Sequence, residues 1–162
     1  MSRRPGLVET LPTLKQLGIK ASGAGRNDQE ARAPAMMDLP KARVLVLALG
    51  ATSSGIFRRW AAKSDAPGVN LLPDVSEPSA LAVPGHIATL RRPGDLVVVS
   101  IHWGSNWGYD VPHEQKIFAR TLIDKAGVSS FTGIPRIIPE LSKSIAIVSS
   151  HSLRLRRFPE RL

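Results

Sequence analysis

Residues 95–104 read Asp95-Leu96-Val97-Val98-Val99-Ser100-Ile101-His102-Trp103-Gly104. An apolar run of this kind suits a strand buried on both faces, as in an α/β layer. Arg92-Pro93-Gly94-Asp95 precedes it and is a type II turn signal, with Pro setting φ and Gly taking φ > 0. A polar loop with Ser105, Asn106, Tyr109 and Asp110 follows, and then a helix is expected from Glu114 to Ala126. Ile117, Phe118, Leu122 and Ala126 form its apolar stripe, Pro112 precedes it and Gly127 ends it. Strand, polar loop and helix make the α/β unit, whose functional groups normally stand at the carboxyl end of the strand.

A second run, Val44-Leu45-Val46-Leu47-Ala48-Leu49, ends at Gly50 and reads as another buried strand. Toward the N-terminus, Leu7, Leu11, Leu14 and Leu17 recur at helical spacing with Gly18 as a stop, and Pro12 should kink or shorten that helix. Residues 18–22 suggest a short strand entering the loop Gly23-Ala24-Gly25. Residues 27–33 suggest a short helix capped by Asn27 or Asp28. Residues 50–75 carry turn signals and read as a long loop. Residues 76–92 are ambiguous, because Pro78, Pro84 and Gly85 oppose one continuous helix. Ile145-Ala146-Ile147-Val148 reads as a strand for which no partner element follows.

The chain has 162 residues and a mass of 17.5 kDa, and 43% of it is apolar, which suits one domain with a core. It has no cysteine, which excludes a disulfide scaffold, a thiolate zinc site and a Cys nucleophile. No signal peptide or transmembrane segment is visible, so the compartment is left unassigned, cytoplasmic by default. The net charge is +9, with 22 Lys and Arg against 13 Asp and Glu. Residues 129–162 hold six basic residues against two acidic ones, and Arg3 and Arg4 add two more positive charges. The excess is therefore terminal, whereas a nucleic-acid surface would more often spread over one folded face. A small basic protein binding nucleic acid or an anionic surface remains the alternative reading, although no aromatic RNA-binding motif or helix-turn-helix pattern appears.

His102 is the sharpest candidate for chemistry. An imidazole just past a buried strand could ligate a metal or donate to a phosphate. Gly104 would let a ligand approach the backbone, and Trp103 and Trp107 could wall a pocket. The other reading makes His102 a loop hydrogen-bonder and the two Trp residues lids on the core. Asp74 and Asp95 adjoin turns and read as backbone caps. His86 is expected at the surface. Ser53-Ser54-Gly55 lacks the pattern of a phosphate loop or a nucleophile elbow, and Gly23-Ala24-Gly25 lacks that of a dinucleotide fingerprint, so no catalytic residue is assigned.

The stretch from Asp95 through His102-Trp103-Gly104-Ser105-Asn106-Trp107-Gly108-Tyr109-Asp110 to Pro112, then Glu114-Gln115 and on to Val128, closely resembles the CapA family. These are capsule, or poly-γ-glutamate, biosynthesis proteins related to calcineurin-like metallophosphoesterases. Leu17-Gly18-Ile19, Gly23-Ala24-Gly25-Arg26, Ser53-Ser54-Gly55-Ile56 and Gly68-Val69-Asn70-Leu71-Leu72 also match. The resemblance implies a partial four-layer αββα metallophosphoesterase-like fold over residues 1–128. It makes His102 the metal ligand, with Trp103, Gly104 and Asn106 around the substrate pocket. The family cofactor is a divalent metal (Mn, Zn or Fe), and the family partner is a polyglutamate-type polyanion or its synthesis machinery.

The family's early Gly-Asp, Glu-Thr and Asn-Asn-His motifs would precede residue 1. Its late Gly-His-x-x-His motif should follow Val128 but is not found there. Back-translated one phase off, residues 131–139 can yield a histidine-rich string similar to that motif. Residues 129–162 are therefore expected to be a non-family tail, disordered or read out of frame. With one credible ligand remaining, the chain is expected to be an inactive fragment without a stably bound metal.

Overall fold

The computed structural model describes residues 5–104, 112–125, 127–134 and 146–149. Helix α1 (Pro5–Gln16) comes first, and Pro12 is accommodated within it rather than ending it. The helix stops at Gly18, whose φ is +70°. Ile19 N–H then donates to the Leu14 carbonyl at 2.9 Å, a Schellman closure. Residues 19–22 form no strand. Instead the two-residue strand β1 (Ala24–Gly25) follows, then α2 (Asp28–Arg32), capped by Asn27, whose Oδ1 accepts from Glu30 N–H at 2.8 Å.

Strand β2 (Ala35–Leu39) turns back through Pro40 and Lys41 into β3 (Ala42–Gly50). The segment between β3 and the next long strand holds 3₁₀ turns at Thr52–Ser54 and Arg58–Trp60, then β4 (Gly68–Val69), which pairs antiparallel with β1. Helix α3 (Glu77–Ala82), with Ser76 as its cap, resolves the ambiguous stretch, and a 3₁₀ turn continues it to His86. The Arg92–Asp95 turn forms as expected, with Gly94 at φ +86° and Asp95 N–H donating to the Arg92 carbonyl at 3.1 Å. Strand β5 (Leu96–His102), helix α4 (His113–Asp124), β6 (Ser130–Ile134) and β7 (Ala146–Ser149) complete the described elements.

The architecture is α/β. One mixed sheet has the order β2-β3-β5-β6-β7, with β3, β5 and β6 parallel and the two edges antiparallel. The 146–149 strand, for which the sequence offered no partner, pairs with β6. Both β6 and β7 fall in the stretch expected to be a tail.

The sheet departs from the expectation of burial on both faces. Leu45, Leu47 and Leu49 of β3 and Val97, Val99 and Ile101 of β5 are buried in one core with Ala80, Val83, Ile87, Phe118 and Leu122. Strand alternation sends the residues between them to the opposite face. There Val46, Ala48, Val98 and Ser100 are only partly buried and Leu96 is exposed. Helices α3 and α4 supply the cover on the first face. The second large sheet of a four-layer domain is not among the described elements.

Candidate functional site

His102 is the last residue of β5 and lies in register between Gly50 of β3 and Ile134 of β6. The carboxyl ends of adjacent parallel strands thus meet at this point, the usual place for a site in such sheets. Alternation separates His102 from its neighbour. His102 lies on the less covered face and is half-buried, whereas Trp103 turns into the core. The Trp103 ring is 6% exposed and meets Phe118 edge to face at 5.7 Å. That is the core-lid arrangement, worth roughly 0.5–1.5 kcal/mol beyond area burial. Gly104 has φ +92°, which an L side chain rarely adopts, and its N–H donates to Ser53 Oγ at 3.2 Å.

Two loops close on this end of the sheet. Ala51 N–H donates to the His102 carbonyl at 2.9 Å, and Ser54 Oγ donates to the Ala51 carbonyl at 2.7 Å. Asn70, buried and not singled out by its spacing, ties three segments together. Its Nδ2 donates to Ala48 O, its N–H to Gly23 O at 2.8 Å, and its carbonyl accepts from Gly50 N–H at 2.9 Å. Only its place in the quoted Gly68-Val69-Asn70 motif pointed to it. Asn106, Trp107 and the rest of residues 105–111 lie outside the described residues.

The other candidates have structural partners. Asp74 accepts from Ser76 N–H and Ser79 Oγ, as a turn cap does. Asp95 accepts from Arg92 N–H at 2.7 Å and from the Arg43 fork at 2.9 and 2.5 Å. The Arg43 hydrogen bonds hold its pKa at about 2. His86, expected at the surface, is half-buried, and its Nδ1 has no hydrogen-bond partner. Burial in the α3 turn, and after it the charge of Arg32, pushes its pKa below the ordinary histidine value.

A catalytic metal needs about three protein ligands around it. Among the described residues no three His, Asp or Glu side chains converge. The donor set described at His102 does not fit a metal centre.

A mixed sheet with helices packed on one face places the chain in the broad class of α/β proteins. The model of the bacterial capsule synthesis protein family PGA_cap matches residues 2–134, and the chain belongs to that family. Two relatives from Mycobacterium tuberculosis, in strains CDC 1551 and H37Rv, carry the name probable polyglutamine synthesis accessory protein. Each is 40% identical over 130 residues, covering 79% of this chain. The chain spans about a third of the length of these curated relatives, 34% in each case. The match agrees with the resemblance carried by the His102-Trp103-Gly104 stretch. No described helix is long and apolar enough to cross a membrane.

Proposed function

We propose that the chain acts as an accessory component in the synthesis of a capsular, polyglutamate-type polymer, and that His102 belongs to a metal-dependent phosphoester-type site. The observation that carries this reading is the family match across residues 2–134 combined with the position of His102 at the joined carboxyl ends of β3, β5 and β6. The four-layer architecture belongs to the same proposal. The less covered face, with Val46 and Val98 partly buried and Leu96 exposed, is where a second sheet would pack. The family assignment favours the polymer over a nucleic-acid partner.

In this reading a divalent metal (Mn, Zn or Fe) meets one described protein ligand, His102. Calorimetric titration with each metal is expected to give weak, substoichiometric binding, with no turnover of a phosphomonoester. Tight stoichiometric binding that His102→Ala abolishes would overturn the inactive-site part. Deleting the gene in the bacterium that carries it is expected to lower the yield of anionic polymer, and an unchanged yield would remove the accessory role.

A further inference from the structure

Beyond Gly55 the chain leaves the His102 site and sets two large aromatic side chains in water. Phe57 is 54% exposed and Trp60 is 46% exposed. Their rings meet edge to face, with centroids 5.9 Å apart. The Arg59 guanidinium carbon sits 4.1 Å from the centroid of the Phe57 ring. Arg58 lies near enough to Asp74 to lower its pKa further, after the Ser76 and Ser79 hydrogen bonds. Lys63 is exposed on the same loop. Residues 57–66 thus carry three basic side chains against one acidic one, Asp65.

Backbone hydrogen bonds hold this segment in place. Trp60 N–H donates to the Phe57 carbonyl at 2.8 Å, and isolated bridges join Ala61 to Val69 and Lys63 to Ala66. The segment presses on β4 so closely that a Cβ at Gly68 would stand 2.4 Å from Ala62 N and 2.5 Å from Trp60 O. The connection that leads into it starts at the His102 site, where Ser53 accepts from Gly104 N–H and Ala51 N–H donates to the His102 carbonyl. A rigid, exposed aromatic and basic cluster is preorganised for binding, because little conformational freedom remains to be lost.

We propose that Phe57, Arg59 and Trp60 form a docking platform for a carboxylate-bearing polymer chain, on the connection that follows the His102 site. This rests on the polymer-synthesis reading above and deepens it. A guanidinium laid over a ring keeps its N–H edge turned outward, and that edge matches a carboxylate bidentately. Arg58 and Lys63 add the long-range attraction that a polyanion follows. Trp60 offers an apolar surface to the methylene and amide parts of such a chain. A single-stranded nucleic acid would instead need open ring faces for its bases, and Arg59 already covers one face of Phe57.

The test uses the full chain and poly-glutamate of defined length, followed by fluorescence anisotropy at low and high salt. Arg59→Gln and Phe57→Ala are each expected to weaken binding by about tenfold, without lowering the melting temperature. Arg120→Gln, an exposed cation on α4, is expected to change affinity less than about twofold. Equal losses from Arg59→Gln and Arg120→Gln, no binding of poly-glutamate, or tighter binding of an oligothymidylate of equal length would each overturn the platform. The polymer-yield assay separates the two proposals. A yield that falls on gene deletion, with affinity unmoved by Arg59→Gln, removes the platform alone. An unchanged yield with selective loss in Arg59→Gln removes the accessory role alone.

Discussion

Asp95 and His86 both make the fold lose stability as pH falls, at two separate stages of the acid range. The Asp95 side chain is 4% exposed, and the Arg43 fork with Arg92 N–H holds its pKa at about 2, below the ordinary 3.8. Its contribution is complete above pH 3.8 and is lost as pH falls toward 2. The pKa of His86 is lowered from 6.5, so the unfolded chain takes up its proton first, and stability is lost as pH falls through 6.5 toward the lower folded value. A pH series of thermal melts is expected to show both declines. His86→Phe should flatten the upper one, and Asp95→Asn the lower one while also lowering the melting temperature at neutral pH. An unchanged upper decline in His86→Phe would remove His86 as its cause. The sequence placed Asp95 correctly, because Pro-Gly-Asp names a turn locally. It misplaced His86, whose burial depends on how residues 83–87 pack as a turn against the sheet.

Among the elements, α4 shows how a helical stripe is decided by its neighbours. Phe118, Ala119, Thr121 and Leu122 are buried, whereas Ile117 is 37% exposed. Phe118→Ala is expected to cost about 3–5 kcal/mol, since it removes a fully buried ring and the partner of Trp103. Ile117→Ala should cost under about 1 kcal/mol. Denaturant melts of the two variants check the ranking, and equal losses would contradict the assigned face. The stretch from 96 to 124 was legible because an apolar run, a turn signal and a helical stripe agree there. Strand β2 was not. Met36, Met37, Asp38 and Leu39 are exposed on both faces, so the strand is held by its backbone ladder to β3 and leaves no period-2 pattern. The short strands β1 and β4 escaped for a similar reason, each being two residues defined by the other. The position of His102 at the end of a strand was legible from the apolar run before it. Asn70 acts through backbone groups of segments distant in sequence, which no local spacing reveals.

For the whole molecule, the one-sided core leaves a broad apolar face. The register aligns Met37 with Val44 and Leu96, and Ala35 with Val46 and Val98. Met37 and Leu96 are 38% and 45% exposed, and Leu39 at the end of β2 is 55% exposed. Exposed contiguous apolar area of this kind drives association. Sedimentation of the isolated chain is therefore expected to show concentration-dependent self-association, which Leu96→Lys with Leu39→Lys should reduce. A monomer at every concentration would count against the exposed face.

The register of the sheet also sets the order in which the chain can assemble. The β2–β3 hairpin closes over Pro40 and Lys41, neither of which has positive φ, so the primed turns that best match strand twist are not used. Even so, it is the most local pairing among the long strands. By contrast, β3 must find β5 across more than forty intervening residues, and β5 must find β6 around α4. Parallel pairing of this kind incurs its loop-closure entropy before its contacts form. Pairing the central strand that carries His102 thus requires closing a far longer loop than the β2–β3 hairpin does.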